Sequence, residues 1–259
     1  MKIAVIQTSS LPYEKAKANY FLSILKSKGV KLAVIPEYFL NLFFKDLEKT
    51  PLKFIKQQSK HQIDLFKKLA NRYNITIIAP VVVVEKDKIY KVFAKFAPKS
   101  IRFYYQQLFL PYSHWNEKKF FSSKKNKPLI FKIDRFKIGI LPGFEAHFDE
   151  FWQYFRKKNV DLIVVPSIGS FSSQFRWEKM LSTLSFLNNC YLLRANRVGN
   201  WENWKFYGGG FLSDPNGNII EKLGEKEEML IADIDKKVVL DAKKEWEFGS
   251  LRGEIQFFE

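Results

Sequence analysis

A chain of 259 residues with 46% apolar composition can bury a substantial core, and its length suits one large α/β domain or two small ones. A single cysteine, Cys190, excludes an intramolecular disulfide and a thiolate-rich metal cluster, and the three histidines, His61, His114 and His147, lack the paired spacing of a zinc site. No metal and no cofactor are therefore expected, and a reducing, cytoplasmic compartment fits. The formal charge of +16 and pI near 9.6 would draw anions, but the lysines run through every predicted helix instead of one tract, so they read as a solvated coat and nucleic acid is not the expected partner.

In chain order, "MKIAVIQTSS" has too short an apolar core for a secretory signal and reads as a first strand over 2–7. Further strands are predicted at 32–38, 75–84, 88–97, 102–110, 128–133, 136–141, 161–168, 190–198, 209–220 and 229–235. Their short Val- and Ile-rich runs suggest strands covered on both faces. Helical spacing appears at 15–28, 57–73, 147–158, 174–189 and 236–245. In "FDEFWQYFRKK", Phe148, Phe151, Trp152 and Phe155 form one apolar stripe for a sheet to cover. "EKDKIY" and "SDPNGN" carry hairpin turn chemistry. The longest apolar run, "ITIIAPVVVV", is broken before the roughly 18 residues that a spanning helix needs, so no membrane crossing is expected. No linker or low-complexity tract divides the chain, which reads as one domain over 1–259.

Two passages share a plan: a helix followed by "GVKLAVIPEYF", and a helix followed by "NVDLIVVPSIG". Strand ends of this kind line the ligand crevice of an open α/β sheet. The strand "FKIGILPG" should deliver its tip, Pro142-Gly143, to the same place, facing Glu37 and the Gln106-Gln107 segment.

These residues carry a resemblance to the nitrilase superfamily of carbon–nitrogen hydrolases, over nearly the whole chain. "NYFLSILKSKGVKLAVIPEYFL" looks like the family's general-base segment, with Glu37 at the catalytic position. "YYQQLFLPYSHWNEKKFF" looks like the lysine segment, with Gln107 at the lysine position and Glu117 at the second-glutamate position. "IGILPGFEAHFDEF" looks like the cysteine elbow, with Gly143 at the nucleophile position and Phe144, Glu145 and Glu150 in register. Downstream, Trp177, Asn188, Asn196, Arg197, Gly199, Asp214, Pro215 and Gly217 match scaffold motifs, whereas Leu184 and Leu187 replace an Arg and a Glu.

The resemblance implies a four-layer αββα sandwich and a homo-oligomer, a dimer or larger. In the family's reaction a thiolate attacks a carbonyl or nitrile carbon, the glutamate shuttles the proton, and the lysine with a backbone N–H stabilises the oxyanion. Glycine supplies no nucleophile, a loss of about a million-fold in a hydrolase, and a missing oxyanion partner is worth ~2.7–4 kcal/mol. No Cys-dependent amidase or nitrilase activity is expected. With no lysine at 107, Glu37 should lose its charge partner and its pKa should rise, with Glu117 and Glu145 adding repulsion.

The leading expectation is a catalytically degenerate relative that binds an amide or carboxylate ligand, or a protein partner. Phe144, Glu145, His147 and Ser167 are then the ligand-side candidates, and the loops "FLNLFFKDLEKTP" and "GSFSSQF" shape the pocket. Phe39, Phe43, Phe44, Phe109 and Phe144 have the bulk to fill it. One rival is a hydrolase in which Glu37 activates water, or in which a serine–histidine pair drawn from Ser113, His114 and His147 works at the rim. Another is a binder of nucleic acid or an anionic surface, driven by charge. Cys190 reads as a buried small hydrophobe.

Overall fold

The computed structural model describes residues 1–9, 15–170 and 173–248. Residues 171–172 of the "GSFSSQF" loop and 249–259 lie outside the described residues. The elements run β1 (Lys2–Gln7), α1 (Lys15–Ser27), β2 (Leu32–Val34), α2 (Phe44–Leu47), α3 (Leu52–Tyr73), β3 (Thr76–Glu85), β4 (Lys88–Ala97), β5 (Ser100–Tyr105), β6 (Pro111–Tyr112), β7 (Trp115–Asn116) and α4 (Glu117–Phe120). Then follow β8 (Ile130–Ile133), β9 (Phe136–Ile140), a 3₁₀ turn (Phe144–His147), α5 (Asp149–Lys157), β10 (Leu162–Pro166), α6 (Gln174–Asn188), β11 (Tyr191–Ala195), β12 (Val198–Trp201), β13 (Trp204–Tyr207), β14 (Phe211–Ser213), β15 (Ile219–Lys222), β16 (Glu228–Asp233) and α7 (Lys236–Trp246).

Two six-stranded sheets form, in the orders β16-β1-β2-β3-β4-β5 and β15-β14-β11-β10-β9-β8. Each has three parallel central strands, β1-β2-β3 and β9-β10-β11, flanked by antiparallel ones. Alternation along β1 explains the layering. Ile3 and Val5 point into a core shared with Ile138, Ile140, Leu162 and Val164 of the other sheet, while Ala4 and Ile6 meet Leu22, Leu25, Phe66 and Leu69 of α1 and α3. On the far side Ile163, Val165 and Leu192 pack against Trp152 and Phe155 of α5 and Leu181 of α6. The result is the four-layer αββα sandwich. Among the described residues no helix is long and apolar enough to cross a membrane.

The differences from the predicted elements have local causes. The 32–38 strand stops at Val34, because Pro36 offers no N–H and Tyr38 adopts φ 55°. The 102–110 strand stops at Tyr105: the Gln106 amide still reaches the Lys91 carbonyl at 2.9 Å, and the chain turns away from the sheet at Gln107. The 209–220 strand is a hairpin of β14 and β15, folded around Asp214, whose carboxylate accepts from the Asn216 and Asn218 amides. The β12–β13 ribbon, built from "VGNW" and "WKFY", had no turn signal strong enough to show in the sequence.

Charge is less even than the lysine-coat reading held. The outer α1–α3 layer exposes Lys15, Lys26, Lys28 and Lys31 beside Lys53, Lys56, Lys60, Lys67, Lys68 and Arg72, and these helices carry one acid, Asp64. On the opposite layer α5 and α6 mix Asp149, Glu150 and Glu178 with Arg156, Lys157, Arg176 and Lys179.

Candidate active site

The matching ends of β2 and β10 meet as the shared sequence plan requires. The Glu37 amide donates to the Ser167 carbonyl at 3.2 Å, and the Gly143 amide donates to the Pro166 carbonyl at 3.0 Å. A Cβ placed on Gly143 would lie 3.2 Å from Glu37 Oε1, so position 143 is the point from which a side chain would project at the glutamate. It would also lie 2.9 Å from Ser167 Cβ, too close without a shift of that residue, and 3.1 Å from Ser167 Cα, a tight contact. The site is packed around glycine.

The charge partner expected to be missing is present, supplied by a residue that the sequence reading passed over. Lys91, on β4, places its Nζ 2.5 Å from Glu37 Oε2 and 2.9 Å from Glu117 Oε1. Glu37 and Lys91 are each 3% exposed and Glu117 is 0% exposed. Gln107 takes no part: its side-chain amide donates to the Tyr104 hydroxyl at 3.0 Å and the Asn126 carbonyl at 3.1 Å. The site therefore holds an ammonium, from Lys91 and not from position 107, and position 143 brings no side chain to it. The alternation of "KIYKVFAKFA" places Lys91 on the strand face of Phe93, which is buried between the sheets, but Lys95 shares that face, so parity alone does not mark Lys91.

Glu117 Oε1 accepts from three groups: Lys91, the Tyr38 hydroxyl, and Trp115 Nε1 at 3.3 Å. Its other oxygen, Oε2, is buried with no hydrogen-bond partner, as are Gln106 Oε1 and Arg197 Nε. Burial pushes the Glu37 carboxyl up to about 7; Lys91 pulls it down and Glu117 pushes it up again. Burial pulls the Lys91 ammonium down, but Glu117 and Glu37 outweigh it and its pKa is raised. The Tyr38 phenol is raised by burial and by Glu117.

Glu145 contributes differently from the expected repulsion. Its Oε1 accepts from the Gln107 and Leu108 amides at 2.6 and 3.1 Å, and its Oε2 accepts from the Tyr104 hydroxyl at 2.7 Å. It thus fastens the chain leaving β5 to the turn after β9, and burial pushes its carboxyl up to about 7. Ser167 is buried, its hydroxyl donating to the Ala195 carbonyl at 3.0 Å and accepting from Arg194 Nε at 3.1 Å. Phe144 is half-buried, its ring against His147 and Phe148. His147 is exposed, with Nδ1 paired to the Phe144 carbonyl.

The other nucleophile candidates stand elsewhere. Ser113 and His114 are exposed at the tip of the β6–β7 ribbon, where the His114 ring stacks on Tyr112 and Trp204. Cys190 is 1% exposed in the core between the second sheet and α5–α6, where burial pushes its thiol up to about 12. Aromatic bulk does gather beside the site. Phe43 packs on Tyr38, Trp115, Trp201 and Phe206 at centroid distances of 5.7, 5.1, 5.1 and 5.3 Å, and Arg197 lies 4.7 Å over Phe206. Phe44 and Phe109 join this cluster through Phe121, whereas Phe39 faces Phe66 under α3.

Residues 2–244 match the sequence profile of the carbon–nitrogen hydrolases. The chain is 24% identical over 250 residues to the deaminated glutathione amidase of Synechocystis sp. (strain PCC 6803 / GT-S), covering 90% of each. It is 22% identical over 259 residues to the omega-amidase NIT3 of Saccharomyces cerevisiae, covering 92% of this chain and 88% of that one. Among solved structures, a carbon–nitrogen hydrolase from Helicobacter pylori G27 superposes with a TM-score of 0.85 at 20% identity, covering 96% of this chain and 94% of that one.

Proposed function

Since this chain belongs to the carbon–nitrogen hydrolase family, we propose that it is a member without covalent hydrolase chemistry, which binds an amide- or carboxylate-bearing small molecule at the Glu37 site. The observation that carries the reading is Gly143: the position aimed at Glu37 Oε1 has no side chain, and Ser167 closes over the space one would need. The candidates nearest in chemistry do not replace it, because Ser167 has its hydroxyl committed to Ala195 and Arg194, and Cys190 is buried in another core. The binding half of the reading is supported by buried polar atoms without partners. Glu117 Oε2 lacks a donor and Arg197 Nε lacks an acceptor, and each such group costs about 1–3 kcal/mol until something satisfies it. A carboxamide offers N–H donors and a carbonyl acceptor together.

The test is an ammonia-release assay on purified protein with ω-amides and simple carboxamides, run beside a thermal-shift screen of the same compounds and the matching acids. Stabilisation by some of them with no turnover is the expected result; turnover at an ordinary enzyme's rate, about 1–1000 per second, overturns it. One observation favours a second reading. A carboxyl with its pKa near 7 beside an ammonium suits general-base activation of water. In that case turnover is measurable and is lost in Glu37→Gln. Self-association into a dimer or larger belongs to the leading reading and is checked by light scattering.

A further inference from the structure

We propose that Lys91 is the positioning residue of this site: from β4 it carries the positive charge that holds Glu37 and Glu117 together beside Gly143, a charge that position 107 does not supply. The inference goes beyond the proposed function, since it holds whether the site binds its ligand or hydrolyses it.

The register shows how the charge reaches the site from a different strand. β4 and β5 are antiparallel with Val92 opposite Tyr105, and the next amide along, that of Gln106, donates to the Lys91 carbonyl at 2.9 Å. Lys91 therefore lies beside the segment where Gln107 stands, one strand inward. Val92, Ala94 and Phe96 face the α1–α3 layer, and Phe93 faces the other sheet. Lys91 has the parity of Phe93, so its side chain enters the space between the sheets, where an unpaired ammonium would be costly.

The ammonium is fully engaged there. It has three N–H donors; two carboxylates receive it, and the Tyr38 ring lies 4.7 Å below it. Glu37 comes from the loop after β2, Glu117 from the start of α4, and Lys91 from β4, so one ammonium joins three segments. Without it two buried carboxylates would face each other. So engaged, the group orients the two carboxylates. The other groups facing Glu37 are Tyr38 on its own loop and the Gly143 backbone on the turn after β9. Glu145 is held on the Gln107 and Leu108 amides, and Arg197 reaches the Tyr38 carbonyl at 3.5 Å.

The test follows the carboxyl carbon of Glu37 by NMR in protein labelled at glutamate, with the signal assigned through Glu37→Gln. In Lys91→Met the Glu37 titration should move to higher pH by roughly one pH unit or more, the scale on which a close opposite charge acts, and Lys91→Arg should bring it back towards the native midpoint. A folded Lys91→Met protein with an unmoved Glu37 midpoint overturns the proposal. Should Lys91→Met not fold, the native protein still decides. The Lys91 side-chain nitrogen, identified by its loss in Lys91→Arg, should give a slowly exchanging ammonium signal that shifts as Glu37 titrates. A rapidly exchanging signal that ignores this titration overturns the proposal equally.

Discussion

Gly143 is occupied by nothing but backbone, yet it constrains the site more than many side chains would. Its virtual Cβ contacts Ser167 at 2.9 Å and Glu37 Oε1 at 3.2 Å, so Gly143→Ala should destabilise the fold by about 1–3 kcal/mol through overpacking. Ser167→Gly should recover part of that loss, because it removes the nearer contact; urea unfolding of the single and double variants measures both. Lys91 makes the opposite case, a side chain whose removal leaves a deficit of charge. Deleting one partner of a buried ionic cluster costs about 3–5 kcal/mol, and Lys91→Met should show a loss of this size near pH 8, where Glu37 is ionised. Glu37, Glu117 and Gly143 were singled out through the family resemblance of their segments, and the structure brings the three together. Lys91 was not singled out. It lies inside a strand with no motif around it, and strand parity alone does not separate a lysine that ends in solvent from one that ends between two carboxylates.

Elements were legible wherever one periodicity covered the whole segment. β4 occupies 88–97 as predicted, and β3 and β4 are joined by a turn with φ 47° at Lys86 and 62° at Asp87. The sequence was least informative at strand ends, because tertiary hydrogen bonds decide where a ladder stops. Glu145 provides one such stop, since its carboxylate takes the Gln107 and Leu108 amides that would otherwise continue β5. Glu145→Ala should leave these two amides and the Tyr104 hydroxyl without their acceptor. The expected cost is roughly 2–4 kcal/mol, with faster hydrogen exchange at Gln107 and Leu108 and little change in β9. Exchange unchanged at those two amides would show that Glu145 does not hold the segment. Asn41 fastens the other side of the site by accepting from the Val82 amide at 2.8 Å. The loop carrying Glu37 and Tyr38 is thereby tied to the first sheet by a side chain that no periodicity could have identified.

For the whole molecule, the two buried carboxyls make stability depend on pH in an unusual sense. Glu37 and Glu145 each titrate at about 7 when folded, against an ordinary 4.5. The folded state thus holds these protons more tightly than the unfolded chain does. Stability should therefore fall as pH rises from about 4.5 through 7 and level off above, by on the order of 3 kcal/mol for each group. Glu227, pulled down to about 2 by Lys17 and the Ser9 and Thr8 donors in spite of its partial burial, acts below this window. Denaturant midpoints that decline from pH 5 to pH 8, with a shallower decline in Glu37→Gln, are the expected record.

The cationic layer of α1 and α3 bears on how copies of the chain could meet. A contact about a two-fold axis sets each surface against its own image, so pairing through this layer would oppose lysine to lysine across the whole seam. Repulsion of that kind fades only over a Debye length of about 8 Å at physiological salt. Any symmetric pair of these chains is therefore steered away from a seam through α1 and α3, leaving those lysine-rich helices free of the contact.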